Sequence, residues 1–85
     1  MSSPPVSPAA QAFGQRVRAR RQELDLTQEQ LADACGLHWT FIGQVERGRR
    51  NISLHNILKI GAGLRLDPGE LVRGLLAPES SRDAR

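Results

Sequence analysis

The segment from Gln28 to Arg47, QEQLADACGLHWTFIGQVER, decides how this chain folds. Thr27 precedes it and Gln30 follows three residues later, a capping box in which each side chain can satisfy a backbone donor of the other, so a helix is expected to start at Gln28. That helix carries Leu31, Ala32 and Cys35, and Gly36, the residue best able to take a left-handed conformation, stops it. After a turn through Leu37 and His38, a second helix is expected over about Trp39 to Arg47, burying Ile42 and Val45 and ending at Gly48. Two short helices joined so tightly need a small residue where their backbones approach, a turn residue tolerating positive φ, and apolar side chains to lock the crossing. Ala32 and Gly36 fill the first two roles, and Leu31, Leu37, Ile42 and Val45 the third.

Upstream, a helix is expected from about Ala9 to Leu24, with Phe13, Val17 and Leu24 on one face and Arg16, Arg18, Arg20 and Arg21 largely on the others. Downstream, the loop Gly48 to Ile52 holds Arg49 and Arg50. Ser53 then caps a fourth helix to about Leu64, whose Leu54, Ile57, Leu58 and Leu64 recur at helical spacing. Asp67, Pro68 and Glu70 supply a cap, a first-turn proline and a third-position acid for a fifth helix over about Pro68 to Leu76. Residues 1–8, MSSPPVSP, read as a disordered leader and residues 77–85, APESSRDAR, as a fraying tail, which leaves one domain over residues 9–76. The expected fold class is all-α, a five-helix domain without strands.

Composition bounds the function. Eighty-five residues suit one small module and not the scaffold most enzymes need. Eleven of the twelve cationic residues are Arg and the formal charge is +3, which favours bidentate and stacking contacts with phosphates and base edges and makes nucleic acid the leading partner class. A lone Cys35 excludes an internal disulfide framework and suits a reducing, cytoplasmic setting. His38 and His55 have no nearby Cys or paired acids, so no metal site is expected. Neither a cofactor nor a small-molecule ligand is implied. No apolar run approaches membrane-spanning length, and the N-terminus lacks the basic start and apolar stretch of an export signal. No nucleophile with an oriented base and no phosphate-cradling glycine loop argues for catalysis.

Through TQEQLADACG, then FIGQVERGRRN, then SLHNILKI, the sequence resembles the Cro and phage-repressor (XRE-type) helix-turn-helix family over roughly Phe13 to Leu75. Within it the chain looks closest to short, one-domain regulators such as the controller proteins of restriction-modification systems. The resemblance implies a compact lambda-repressor-like domain whose third helix enters the major groove with its N-terminal residues facing base edges. Here these are His38, Trp39, Thr40 and, a turn later, Gln44. Gln44 is the best candidate for readout, since a carboxamide can pair in a bidentate way with adenine. His38 also reads as the cap of the third helix, and Trp39 either meets DNA or packs on the protein. Phosphate contacts are expected from Gln28 at the positive end of the second helix, from Arg47, Arg49, Arg50 and Asn51 beyond the reading helix, and from Arg16 on the first. The family also pairs the first-helix arginine with the glutamate of its VERG segment, here Arg21 with Glu46, as a structural ion pair.

Two departures from the family's habit stand out. Gly43 sits inside the third helix, where it lowers helix preference and removes a contact with DNA, and Gly61 and Gly63 replace alanines of the fourth, permitting close packing or weakening the helix. A homodimer is expected from Leu71, Val72, Leu75 and Leu76, an apolar stripe on the last helix with Leu66 nearby, larger than so small a core can absorb. The rival reading is a helix-turn-helix kept for protein contact, as in an antitoxin-like or co-activator-like module, which Gly43 and Trp39 favour and the basic loop disfavours.

Overall fold

The computed structural model describes residues 4–78, in which five α-helices follow one another with no strand among the described residues. They are α1 (Pro8–Glu23), α2 (Gln28–Cys35), α3 (Trp39–Glu46), α4 (Leu54–Gly63) and α5 (Pro68–Val72). Local capping chemistry sets every start. The side chains of Ser7, Thr27, His38, Ser53 and Asp67 each accept a hydrogen bond from a first-turn backbone N–H, satisfying a donor that the helix itself leaves open. The capping box is complete: Gln30 N–H donates to Thr27 Oγ1 at 3.0 Å and Thr27 N–H to Gln30 Oε1 at 2.8 Å. Gly36 closes α2 in the left-handed region, at φ 71°.

Phe13 and Val17 of α1, Leu31, Ala32 and Cys35 of α2, Ile42 and Val45 of α3, and Ile60, Leu64 and Leu71 form one buried core. Leu31, Ile42, Ile60, Leu64, Leu71, Val17 and Val45 are fully enclosed, each stabilising the fold by about 1.5–3 kcal/mol relative to exposure. Glycines set two of the helix contacts. A Cβ on Gly14 would strike the backbone of Val45 and Glu46, so α1 lies directly on α3. A Cβ on Gly63 would stand 2.5 Å from Cys35 Sγ, so α4 and α2 touch there. The packing role is therefore the one Gly63 takes. Burial pushes the Cys35 thiol up to about 11, which keeps it protonated and apolar in character.

Two expectations are corrected. The leader is structured in part: α1 begins at Pro8, Ser7 Oγ accepts from Ala10 N–H at 3.0 Å, and Val6 N–H donates to Gly48 O at 2.8 Å. A serine cap followed by a first-turn proline is a helix start, which outweighs the polar composition of the segment. Residues 1–3, and residues 79–85 of the expected tail, lie outside the described residues. The fifth helix stops at Val72 and not at Leu76, because the chain leaves the helical region at Arg73, ψ 129°, and enters a turn closed by Leu75 N–H to Val72 O at 3.1 Å, whose third residue, Gly74, takes φ 74°. On α4, Leu54 and Leu58 face outward, while Ile60, Gly61, Gly63 and Leu64 take the core side.

The arginines of α1 explain how so small a domain closes. Arg16 Nη1 donates to Leu71 O at 3.2 Å and Arg73 O at 2.7 Å, and Arg20 donates to Leu64 O at 3.0 Å and Arg65 O at 3.2 Å. The last carbonyls of a helix have no partner within it and carry the negative end of its dipole, so a guanidinium satisfies both needs. One turn apart on α1, these two side chains tie down the ends of α5 and α4. Arg16 is thus engaged by α5, contrary to the phosphate-contacting role expected of it.

Candidate nucleic-acid interface

Glu46, at the last turn of α3, is the polar centre of this region. Arg21 Nε donates to its Oε2 at 2.6 Å and Arg21 Nη2 to its Oε1 at 3.0 Å, a bidentate pair in which the carboxylate side chain is 3% exposed and the guanidinium 13%. Arg21 Nη1 also donates to Leu26 O at 2.8 Å, and Gln28 Nε2 adds a third donor to Glu46 at 3.1 Å. One carboxylate therefore holds α1, the α1–α2 connection and α2 against α3. A charge this enclosed is tolerable because both oxygens are hydrogen-bonded. The Gln28 carboxamide, expected to meet phosphate, is turned inward to Glu46 instead. Its backbone N–H at the first turn of α2 is what it keeps for an anion.

The expected reading residues run from the start of α3, where Trp39 lies beside the Glu46 partners Arg21 and Gln28, to its outer side, which carries Thr40 and Gln44. His38 caps the helix, with Nδ1 accepting from Thr40 N–H at 3.1 Å and lying 2.7 Å from Thr40 Oγ1. Trp39 is 48% exposed, its ring stacked on that of His38 at 6.1 Å between centroids, in a shallow depression lined also by Arg21, Thr27, Gln28 and Glu29. Its position is at the surface between the starts of α2 and α3, not in the core. Thr40 is exposed and Gln44 half-buried. Gln44 Oε1 accepts from Arg50 Nε–H at 2.6 Å, and the Arg50 guanidinium lies over the Phe41 ring, 5.3 Å from its centroid. Arg50 thus folds back along α3, an arrangement with no local sequence signal, since the loop between Gln44 and Arg50 brings the two together.

Arg47 and Asn51 are exposed, and the Arg47 guanidinium passes over the bare backbone of Gly43, its Nη1 3.5 Å from where a Cβ would stand. Arg49 is half-buried, its backbone N–H donates to Gln44 O at 2.9 Å, and its buried Nε has no hydrogen-bond partner. Among the described residues no helix is long and apolar enough to cross a membrane.

The residues matched by the family model described as helix-turn-helix (HTH_3) are 17–71, which include all the elements just described except the first half of α1 and the end of α5. Over 61 residues the chain is 48% identical to the control protein C.BamHI of Bacillus amyloliquefaciens, covering 71% of this chain and 75% of that one. The crystal structure of the restriction-modification controller protein C.AhdI from Aeromonas hydrophila superposes with a TM-score of 0.71 at 48% identity, covering 73% of this chain and 94% of that one. The P22 c2 repressor, solved in complex with a synthetic operator, superposes with a TM-score of 0.69 at 33% identity, over 75% of this chain and 97% of that one. With a compact bundle of the same order, a turn closed by Gly36 and a matching family model, the chain belongs to the XRE-type helix-turn-helix family, whose members are DNA-binding transcription regulators and not enzymes.

Proposed function

We propose that this chain is a sequence-specific regulator of transcription that reads a palindromic operator in the major groove of double-stranded DNA as a homodimer. The observation that carries the reading is the division of α3: Ile42, Val45 and Glu46 are enclosed, while Trp39, Thr40 and Gln44 are left at the surface beside Arg47, Arg49 and Arg50. A helix with its apolar side locked into a core and a polar side flanked by guanidinium groups suits insertion between two phosphate backbones. Gln44 and Thr40 read base edges in this arrangement. Arg47, Arg49, Asn51 and the backbone N–H of Gln28 meet phosphates. Arg21 and Glu46 hold the reading helix in place without touching DNA.

Gln44→Ala is expected to relax preference at one or two base pairs, costing about 1–3 kcal/mol on the best site, whereas Arg49→Ala should weaken all sequences alike and reduce the salt slope by about one. Competition binding across a salt series measures both. A Gln44→Ala variant that separates its best site from scrambled DNA in the wild-type ratio would remove Gln44 from the readout. The exposed Trp39 ring favours a second reading, a surface for another protein. Affinity for DNA that fails to fall steeply with salt would select it.

A further inference from the structure

The established reading of a groove-facing glutamine is adenine recognition, in which the carboxamide oxygen accepts from the exocyclic amine and the nitrogen donates to N7. Here that oxygen already accepts from a guanidinium, which occupies one of its two lone pairs. An arginine nitrogen can only donate, so the carboxamide atom 2.6 Å from Arg50 Nε is the oxygen by chemical necessity, and the –NH₂ end is the one left free. Arg50 is itself anchored over the Phe41 ring at 5.3 Å, one turn back along α3 from Gln44. Its remaining guanidinium N–H groups, in the same rigid plane as Nε, add further donors to this patch. The pair therefore offers a cluster of donors at positive potential. An amine approaching the second lone pair of that oxygen brings its positive hydrogens up to a cation, whereas a base edge made of acceptors is attracted to both groups.

We propose that Arg50 is a specificity-positioning residue: it fixes the Gln44 carboxamide so that the pair selects guanine, which shows acceptors N7 and O6 in the major groove, over adenine. The proposal rests on Gln44 facing the groove, as argued above. It moves Arg50 out of the purely phosphate-contacting group in which its place in the basic loop had put it. Arg49, its neighbour, carries the same charge but makes no side-chain contact with Gln44 among the hydrogen bonds of the structure, so it serves as the control for charge alone.

The test is selection of binding sites from a random duplex DNA pool by the wild-type chain and by Gln44→Ala, Arg49→Ala and Arg50→Ala. The position read by Gln44 is the one whose preference is lost in Gln44→Ala. At that position the wild type should select guanine. Arg50→Ala should shift the guanine-to-adenine ratio toward adenine by about tenfold, the discrimination typical of one good base contact, while Arg49→Ala leaves the ratio unchanged and only weakens binding. Because Arg50 is exposed, its removal keeps the fold, which circular dichroism can verify. Adenine at that position in the wild type, or an Arg50→Ala variant that keeps the wild-type ratio, overturns the proposal. Loss of preference at no position in Gln44→Ala overturns the readout beneath it instead, and the two failures are thereby distinguished.

Discussion

Gly14 and Gly43 lie in helix interiors, and the same methyl group meets opposite surroundings at the two sites. At Gly43 the nearest atoms to an added Cβ are Arg47 Nη1 and Gln28 Oε1, both at 3.5 Å, an ordinary van der Waals distance. Gly43→Ala should therefore recover helix preference of about 1 kcal/mol and raise Tm by about 4–8 °C. At Gly14 the added carbon runs into backbone of Val45 and Glu46, which cannot yield without moving α3. Gly14→Ala should destabilise by about 1–3 kcal/mol. Thermal unfolding of the two variants gives shifts of opposite sign if the packing is as described, and equal shifts would contradict it. The sequence showed Gly43 as a departure from habit and a lost contact with DNA. It was silent on Gly14, because a close approach between α1 and α3 is a property of two helices some thirty residues apart in the chain, with no trace in the residues around either one.

Among the helices, starts were far more legible than ends and partners. Ser53, Thr27 and Asp67 with Pro68 act through residues within one turn, so local chemistry suffices to place them. The end of α5 is less legible, because the apolar stripe continues to Leu76 while the turn at Arg73 and Gly74 ends the helix inside it. The arginines of α1 are less legible still: their number points to DNA, while Arg16 and Arg20 serve the carbonyls of α5 and α4. Such a role depends on where a distant helix ends, which no local pattern encodes. The Arg21–Glu46 pair, implied by resemblance to the family and present in the structure, binds three helices through one carboxylate. Arg21→Ala leaves that carboxylate enclosed with Gln28 as its remaining side-chain donor, and a loss of about 3–5 kcal/mol is expected. Unchanged thermal stability with lost DNA binding would place Arg21 on the phosphate surface instead.

Across the whole molecule the apolar surface is distributed differently from the expected stripe. Leu71 is enclosed in its own core, and Leu66 and Leu75 pack partly against it, which withdraws Leu71 from any interface. Val72 and Leu76 remain exposed, the latter 82%, and α4 adds Leu54 and Leu58, one turn apart on its outer face. An open groove of about 300 Å³, lined by Phe13, Ile52, Ile57, Val72 and Leu75 among others, connects α4 to the segment after α5. Exposed apolar surface of this kind usually marks an interface. The homodimer proposed above is accordingly centred on α4 and the chain after α5, and a two-fold pairing there predicts half-sites about 10 base pairs, or roughly 34 Å, apart. Leu58→Glu should give a folded monomer at micromolar concentration in sedimentation, with DNA affinity reduced to that of one half-site. A wild-type chain that is monomeric on DNA and off it would end the proposal. Helical spacing on α4 could not reveal this, since Leu54, Ile57, Leu58, Ile60 and Leu64 give it two apolar sides, and Gly61 and Gly63 decide which one the core takes.

The strap before α1 offers an isotope clock. Pro4, Pro5 and Pro8 have no amide proton, so Val6 and Ser7 carry the only ones between residues 4 and 8, and the Val6 proton is bonded to Gly48 O at the mouth of the arginine loop. Its exchange with deuterated solvent requires that bond to open. A single resolved resonance near the start of the chain thereby reports, in the free protein and during a DNA titration, how often the Gly48 turn lets go and whether a bound duplex holds it shut.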